Sequence, residues 1–366
     1  MKRILLLANG PGELWCWARP MIRALSRLGF DVSLSLLPCQ YASGREADIA
    51  GKIVDGNVDP PMSVFATLAG RKGKSFDAVL QLGGDLLFGI AFSARSGAPL
   101  FCYTYGPKPL MARCDMVFSA FNEMRRFFGS ACDKVLVVGD LVADSLEMDR
   151  EEFRWSPGGS PRVVLLPGSR KAIRSAAMPF IKDMAGRIRS QMPLSEIVVA
   201  LSRFSDPGES LEWVSSDFRV VTAATGSILS GADLVVTQPG TNTLELTYSL
   251  VPGIVAVPFS FLRQIPLPGL LGFLGSIPFA GPALKEKVLR KRSEDRGFLA
   301  WPNRLAGREI MPEMVGDIAA SDVADQAVEL LKDEARLRDI RENLKVIRQT
   351  PGASDRIAEQ ISELVG

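Results

Sequence analysis

The chain has 366 residues, enough for two domains of ordinary size. Hydrophobic residues make up 47% and charged residues 23%, which excludes wholesale disorder, and a formal net charge of +2 excludes a general nucleic-acid binder. There is no histidine, so a histidine base, a histidine-ligated metal and a histidine-relayed nucleophile are excluded as well. Cys16, Cys39, Cys102, Cys114 and Cys132 form no C-x-x-C pair, a pattern expected of reduced thiols in a cytosol.

In chain order, Ile4–Ala8 is an unbroken apolar run, as expected for a strand buried on both faces of a parallel sheet. It follows Met1-Lys2-Arg3 but is too short for a signal peptide, and Asn9-Gly10-Pro11-Gly12-Glu13 comes next. That glycine loop feeds a predicted helix with Trp15, Ala18, Ile22 and Leu25 on one face, closed by Gly29. The order resembles a dinucleotide fold, but the spacing is not G-x-G-x-x-G and no acidic residue is placed for a ribose. Further strands are predicted at Val32–Leu37, Phe76–Leu82, Pro99–Tyr105 and Lys134–Val138. The second of these runs into Gly83-Gly84-Asp85 and the last into Gly139-Asp140.

Trp155-Ser156-Pro157-Gly158-Gly159-Ser160-Pro161 is the clearest linker. A second strand series then follows at Arg162–Pro167, Ile197–Leu201, Arg219–Thr222, Leu234–Val236 and Ile254–Val257. The expectation is an α/β protein of two Rossmann-like, doubly wound domains with a cleft between them. They cover residues 1–157 and 162–331, and residues 332–366 are predicted helices.

Two loops in the second half have the character of anion sites. After Leu234–Val236 the segment Gln238-Pro239-Gly240 cannot continue a strand, and a helix is predicted from Asn242 as N-cap with Glu245 three residues on. Free N–H groups and the helix dipole then point out of the loop. An ordinary βαβ turn, with Glu245 serving only its own helix, fits the same residues. Likewise Leu165-Leu166-Pro167-Gly168-Ser169-Arg170, with Lys171 and Arg174 beside it, reads as a phosphate-type loop or as a solvated basic turn.

Resemblance narrows these readings. Pro239-Gly240-Thr241-Asn242-Thr243-Leu244-Glu245 resembles the Ser-Gly-Thr-x-Thr-Leu-Glu segment of lipid-A-disaccharide synthases, with Pro239 in place of the serine. Leu165–Arg170 contains that family's Leu-Pro-Gly-Ser-Arg unchanged. Trp301-Pro302-Asn303-Arg304-Leu305-Ala306-Gly307-Arg308, followed by Pro312-Glu313, resembles its third signature. Val138-Gly139-Asp140-Leu141-Val142-Ala143-Asp144 is similar to its Val-Gly-His-Pro-Leu-x-Asp, with Asp140 in place of histidine. The first half departs further: Gly12-Glu13 match, but Trp15-Cys16-Trp17 replace Ser-Gly-Asp, and Gly84-Asp85 stand where the family has an acidic Pro-Asp pair. The two tryptophans suit either a sugar-stacking acceptor site or core packing.

The resemblance implies the type B glycosyltransferase fold and transfer of an acylated glucosamine-type sugar from a UDP-linked donor to a glycolipid acceptor. It implies no metal or other cofactor, and nucleotide contacts from Ser169, Arg170, Thr241, Thr243, Glu245, Asn303 and Arg308. For the base, a carboxylate near the cleft is required, with Asp85 first and Glu13 second. A related type B enzyme with another UDP-sugar and lipid acceptor, a sugar-nucleotide epimerase of the same fold, and a binding-only module remain as alternatives. Finally, Ile265–Leu284 is twenty residues without a charge, broken by four prolines, and the basic run Lys285–Arg292 follows. That order suits an interfacial contact with an anionic membrane at about 261–292, or a buried interdomain or dimer segment. A bacterial protein peripheral on the cytoplasmic face of the inner membrane is the expected setting, with a homodimer as a further expectation.

Overall fold

The structure, a computed structural model, describes residues 1–39, 42–54, 58–62, 64, 75–149, 153–222, 225–262 and 297–365. The apolar stretch Ile265–Leu284 and the basic run Lys285–Arg292 lie outside the described residues.

The chain divides into two compact units, Met1–Met148 with Gln349–Gly366, and Asp149–Arg348. The first is built on a parallel sheet. Its strands are β1 (Arg3–Ala8), β2 (Asp31–Leu36), β3 (Val58–Asp59), β4 (Ala78–Leu82), β5 (Leu100–Thr104), β6 (Met116–Ser119) and β7 (Val135–Val137), in the order β3-β2-β1-β4-β5-β6-β7. Ile4–Ala8 and Ala78–Leu82 are buried along their whole length, which is what two-sided cover by helices demands. The strand order reverses direction between β1 and β4, so the loops after these two strands open on one crevice at the carboxyl ends.

Those loops feed helices. After β1 the chain makes one α-turn (Pro11–Glu13), a π-helical turn (Leu14–Ala18) and then α1 (Arg19–Arg27). The wider turn breaks the 3.6-residue period: Trp15 is only half-buried, whereas Trp17, off the expected apolar face, is 6% exposed. The helices α2 (Leu86–Ser96) and α3 (Leu141–Met148) follow β4 and β7.

The second unit repeats the plan with β8 (Arg162–Leu165), β9 (Glu196–Leu201), β10 (Arg219–Thr222), β11 (Leu234–Thr237), β12 (Gly253–Pro258) and β13 (Glu313–Gly316), in the order β10-β9-β8-β11-β12-β13. Here the reversal lies between β8 and β11. Its helices include α4 (Lys171–Gln191), α5 (Asn242–Ser249), α6 (Trp301–Ala306), α7 (Ala320–Lys332) and α8 (Glu334–Ile347). The Trp155–Pro161 stretch is tied into this unit, since Trp155 Nε1 donates to Ser230 O at 2.8 Å and Ser156 N to Glu196 Oε2 at 2.7 Å.

The last helix, α9 (Ala353–Val365), belongs to the first unit, where it packs on α1 and α3. Asp144 fixes its start: the carboxylate accepts from the backbone N–H groups of Gly352, Ala353 and Ser354 at 3.0–3.3 Å and from Ser354 Oγ at 2.7 Å. These are the orphan donors of a helix N-terminus, and the negative charge also suits the helix dipole. Arg356 adds a bond to Val138 O at 2.7 Å. Ile357 and Ile361 are fully buried, each contributing about 1.5–3 kcal/mol by removal from water.

Candidate functional site

In the second unit, β8 runs into Leu166-Pro167-Gly168-Ser169 and then α4, for which Arg170 is the N-cap residue in extended conformation. Gly168 takes φ +99°, a region a side chain rarely adopts. β11 runs into Gln238-Pro239-Gly240 and then α5. The two loops are clipped together by Gln238 Nε2, which donates to Pro167 O at 3.0 Å, while Leu166 N donates to Val236 O at 2.9 Å. Two helix N-termini therefore start at the reversal of strand order, where free N–H donors favour an anion.

Arg174, read from sequence as a cation beside a phosphate-type loop or in a solvated basic turn, is 1% exposed and points inward. Its guanidinium grips Glu209, itself 3% exposed, through two bonds of 2.6 and 2.7 Å, and its third nitrogen donates to Ser169 O at 2.5 Å. The geometry is the bidentate fork that an arginine gives and a lysine cannot. It anchors the backbone of the Ser169 loop from beneath. Lys171 is exposed and engaged with Asp206 at 2.6 Å, and this hydrogen bond and charge raise the lysine pKa.

On the facing loop the helix begins at Asn242 with Thr241 as its cap residue, one position before the Asn242 cap predicted from sequence, and no side chain closes the cap. Thr241 is half-buried, and Glu245, in the first turn, is 3% exposed. Thr243 is fully buried: its hydroxyl donates to Gly240 O at 2.8 Å and accepts from Trp301 N at 3.1 Å. It joins the loop to the start of α6.

The third signature folds as a latch. Asn303 is 0% exposed; its amide donates to Met311 O and Glu313 Oε1 at 2.8 Å, and its oxygen accepts from Ile310 N and Met311 N at 2.7 and 2.9 Å. All of its hydrogen-bonding capacity goes to the protein. Glu313 also accepts from Leu299 N and Ala300 N, both at 2.8 Å, at the start of α6. Arg308, past the other end of α6, is exposed and donates to Asn343 Oδ1 at 2.6 Å. Of the seven nucleotide contacts expected from sequence, the structure brings Ser169, Arg170, Thr241, Thr243 and Glu245 to the two clipped loops. It spends Asn303 on bracing and sets Arg308 against α8.

In the first unit the other reversal point carries both candidate bases. Gly83 and Gly84 take φ +68° and +65°, a consecutive left-handed pair that turns β4 sharply into α2. Asp85 is exposed and caps α2, its Oδ1 accepting from Leu87 N at 3.0 Å. Gln81, a polar residue inside an apolar strand, is fully buried and braces the turn. Its Nε2 donates to Gly83 O and Asp85 O, and its Oε1 accepts from Gly89 N, all at 2.8 Å. Lys108 Nζ donates to Gly84 O at 2.8 Å.

Glu13, from the other loop, accepts from Gly10 N at 2.7 Å, and its second carboxylate oxygen lies directly over Gly83, where a methyl group would collide with it. Thus Glu13 and Asp85 meet at one turn. The buried Asn9 Oδ1 beside them has no hydrogen-bond partner among the described residues. Side-chain oxygens of Glu13, Asp85 and Asn9 therefore border this one turn. Among the described residues no group of acidic or cysteine side chains is arranged to hold a metal ion.

A lipid-A-disaccharide synthase from Prochlorococcus marinus (strain MIT 9313) is 25% identical over 276 residues, spanning 71% of this chain and 65% of that relative. The chain resembles the lipid-A-disaccharide synthases. No family model matches it. Among solved structures, UDP-GlcNAc 2-epimerase from Neisseria meningitidis bound to UDP-GlcNAc aligns with TM-score 0.61 at 13% identity, covering 99% of this chain and all of that one. Acinetobacter baumannii MurG aligns with TM-score 0.56 at 14% identity, covering 99% of this chain and 100% of that one. These likenesses show the fold: two parallel-sheet α/β units of the type B glycosyltransferase class. The Leu-Pro-Gly-Ser-Arg and Thr-x-Thr-Leu-Glu segments that resemble the synthases are the two loops clipped by Gln238. Sequence reasoning missed Gln81, Lys108 and Glu209. Only Gln81 left a signal, a polar side chain within the apolar run Ala78–Leu82.

Proposed function

We propose that the protein is a UDP-sugar-dependent glycosyltransferase that moves an acylated glucosamine-type sugar onto a glycolipid acceptor, in the manner the synthase resemblance implies. The observation that carries this reading is the pair of loops at the β8/β11 reversal, bound to each other through Gln238 and opening two helix N-termini. In this reading the UDP pyrophosphate lies on the Ser169 and Thr241 loops, with Arg170 adding charge, and Glu245 accepts the ribose hydroxyls. Thr243, Asn303 and Arg174 hold the loops in place.

The reaction joins an acceptor hydroxyl oxygen to the anomeric carbon as the bond from that carbon to the UDP phosphate oxygen breaks. The hydroxyl proton passes to a carboxylate, Asp85 or Glu13, and UDP departs with the electron pair, stabilised by the loop N–H groups. The apolar and basic segment Ile265–Arg292 supports a lipid acceptor drawn from an anionic cytoplasmic membrane surface, where each cation adds about 1 kcal/mol. No described helix is long and apolar enough to cross a membrane.

Calorimetry of UDP on the full chain tests the nucleotide half. Glu245→Ala removes hydrogen bonds worth about 1 kcal/mol each, so affinity falls roughly tenfold or more. Equal affinity in the two proteins removes the ribose role. A second reading, a sugar-nucleotide epimerase, is favoured by the likeness to UDP-GlcNAc 2-epimerase; conversion of UDP-GlcNAc without any acceptor identifies it.

A further inference from the structure

Beneath the Gly83 turn lies a polar assembly that the proposed mechanism does not use. Asp140 is 0% exposed, and its Oδ1 collects three donors: Tyr105 Oη at 2.8 Å, Tyr103 Oη at 3.1 Å and Val142 N at 3.1 Å. Burial, followed by the charge of Asp140, pushes the Tyr103 pKa well above its ordinary value, so this phenol keeps its proton to donate. Tyr105 spends its single proton on Asp140, which leaves its oxygen to accept, and Trp17 Nε1 donates to it at 3.2 Å.

The Trp17 indole stands edge-on to both tyrosines, with centroids 5.1 and 4.9 Å away. Its opposite edge reaches Gly83: Cζ3 is 3.1 Å from where a Cβ on that glycine would sit, the same spot that the Glu13 carboxylate covers. Packing alone would be met by phenylalanines and an apolar residue. A carboxylate and two phenols in a dry core are costly unless each is satisfied, and satisfied they fix one geometry.

We propose that Asp140, Tyr105 and Trp17 form a directed hydrogen-bonded line that sets the Glu13 carboxylate on the Gly83–Asp85 turn, making Tyr105 and Asp140 positioning residues for proton transfer there. The proposal rests on the transferase reading, within which it favours Glu13 as a group that takes part. Asp140 orders the line because it only accepts; the order passes through Tyr105 to the indole N–H, and the indole edge then limits where Glu13 can lie.

The test uses the full chain and two variants that keep shape, Tyr105→Phe and Asp140→Asn. Glu13 is followed by carboxyl carbon NMR through a pH titration, its signal identified by its loss in Glu13→Gln. Tyr105→Phe is expected to shift that titration and to lower kcat about tenfold, while UDP affinity stays within about twofold of wild type. Asp140→Asn is expected to act in the same direction, and it carries the test if Tyr105→Phe does not fold. Phe118→Leu, at a buried side chain stacked on Phe101, is the control: it lowers Tm and leaves the Glu13 signal and kcat unchanged. A Glu13 titration that coincides with wild type in both variants overturns the proposal, as does a shifted titration with unchanged kcat. Absence of any sugar transfer by the wild type overturns the transferase reading instead, and the carboxyl signal then still decides the positioning.

Discussion

Arg174→Gln is the most informative single perturbation of the nucleotide loops. In the native protein the guanidinium makes two bonds to Glu209 and one to Ser169 O, all between 2.5 and 2.7 Å, with both partners of the ion pair at most 3% exposed. Removing one partner leaves a buried carboxylate uncompensated, which costs about 3–5 kcal/mol. For a unit of this size each kcal/mol lowers Tm by about 2–4 °C, so a fall of roughly 6–20 °C is expected by calorimetry or circular dichroism. The loop also loses its bond at Ser169 O, worth about 1 kcal/mol, which corresponds to a UDP affinity about fivefold weaker.

The double variant Arg174→Met, Glu209→Leu separates the two effects. Replacing both charges with apolar side chains of similar volume restores stability, because a buried pair gains little over good packing. The Ser169 carbonyl stays without its donor, so UDP binding remains weak. Arg174→Gln melting within about 2 °C of wild type would refute the ion-pair estimate. A double variant that binds UDP like wild type would refute the claim that Arg174 holds the loop.

Three further outcomes follow from the structure. Asp85→Asn or Glu13→Gln is expected to lower turnover about a hundredfold with UDP affinity nearly unchanged, and near-full activity in both variants places the base elsewhere. Asn303→Ala leaves the N–H groups of Ile310 and Met311 without acceptors, each costing about 1–3 kcal/mol, so a clear loss of Tm is expected, and an unchanged Tm would contradict the latch. Because the Tyr103 pKa is raised in the fold, its contribution is fully present below the unfolded value of about 10 and is lost as pH rises toward the higher folded value. Urea midpoints should therefore fall above about pH 10 and fall less steeply in Tyr103→Phe.

Much of the fold was legible because parallel sheets covered on both faces need continuous apolar strands. The runs at Ile4–Ala8, Leu100–Thr104 and Ile197–Leu201 stand out from their surroundings for that reason. Short edge and near-edge strands carry no such signal: Val58–Asp59 has two residues, and Glu313–Gly316 lay inside a motif read for its chemistry. The destination of α9 was invisible locally, since the Asp144 bonds that fix it join residues more than 200 positions apart. The one-residue shift at Thr241 arose because a sequence rule assigns the cap to Asn242, whereas the loop satisfies itself through the Thr243 hydroxyl and Gly240 O. At the sites, glycines and charges were legible and their partners were not. Nothing in the spacing of Arg174 and Glu209, or of Trp17, Tyr105 and Asp140, reveals that they meet.

The central claim is tested most directly by the products formed from a UDP-linked acylated glucosamine and a glycolipid acceptor, followed by mass spectrometry. The account predicts UDP and a glycolipid one sugar larger, in equal amounts, only when both substrates are present. Loss of donor without acceptor, or UDP binding with no sugar consumed, would contradict it.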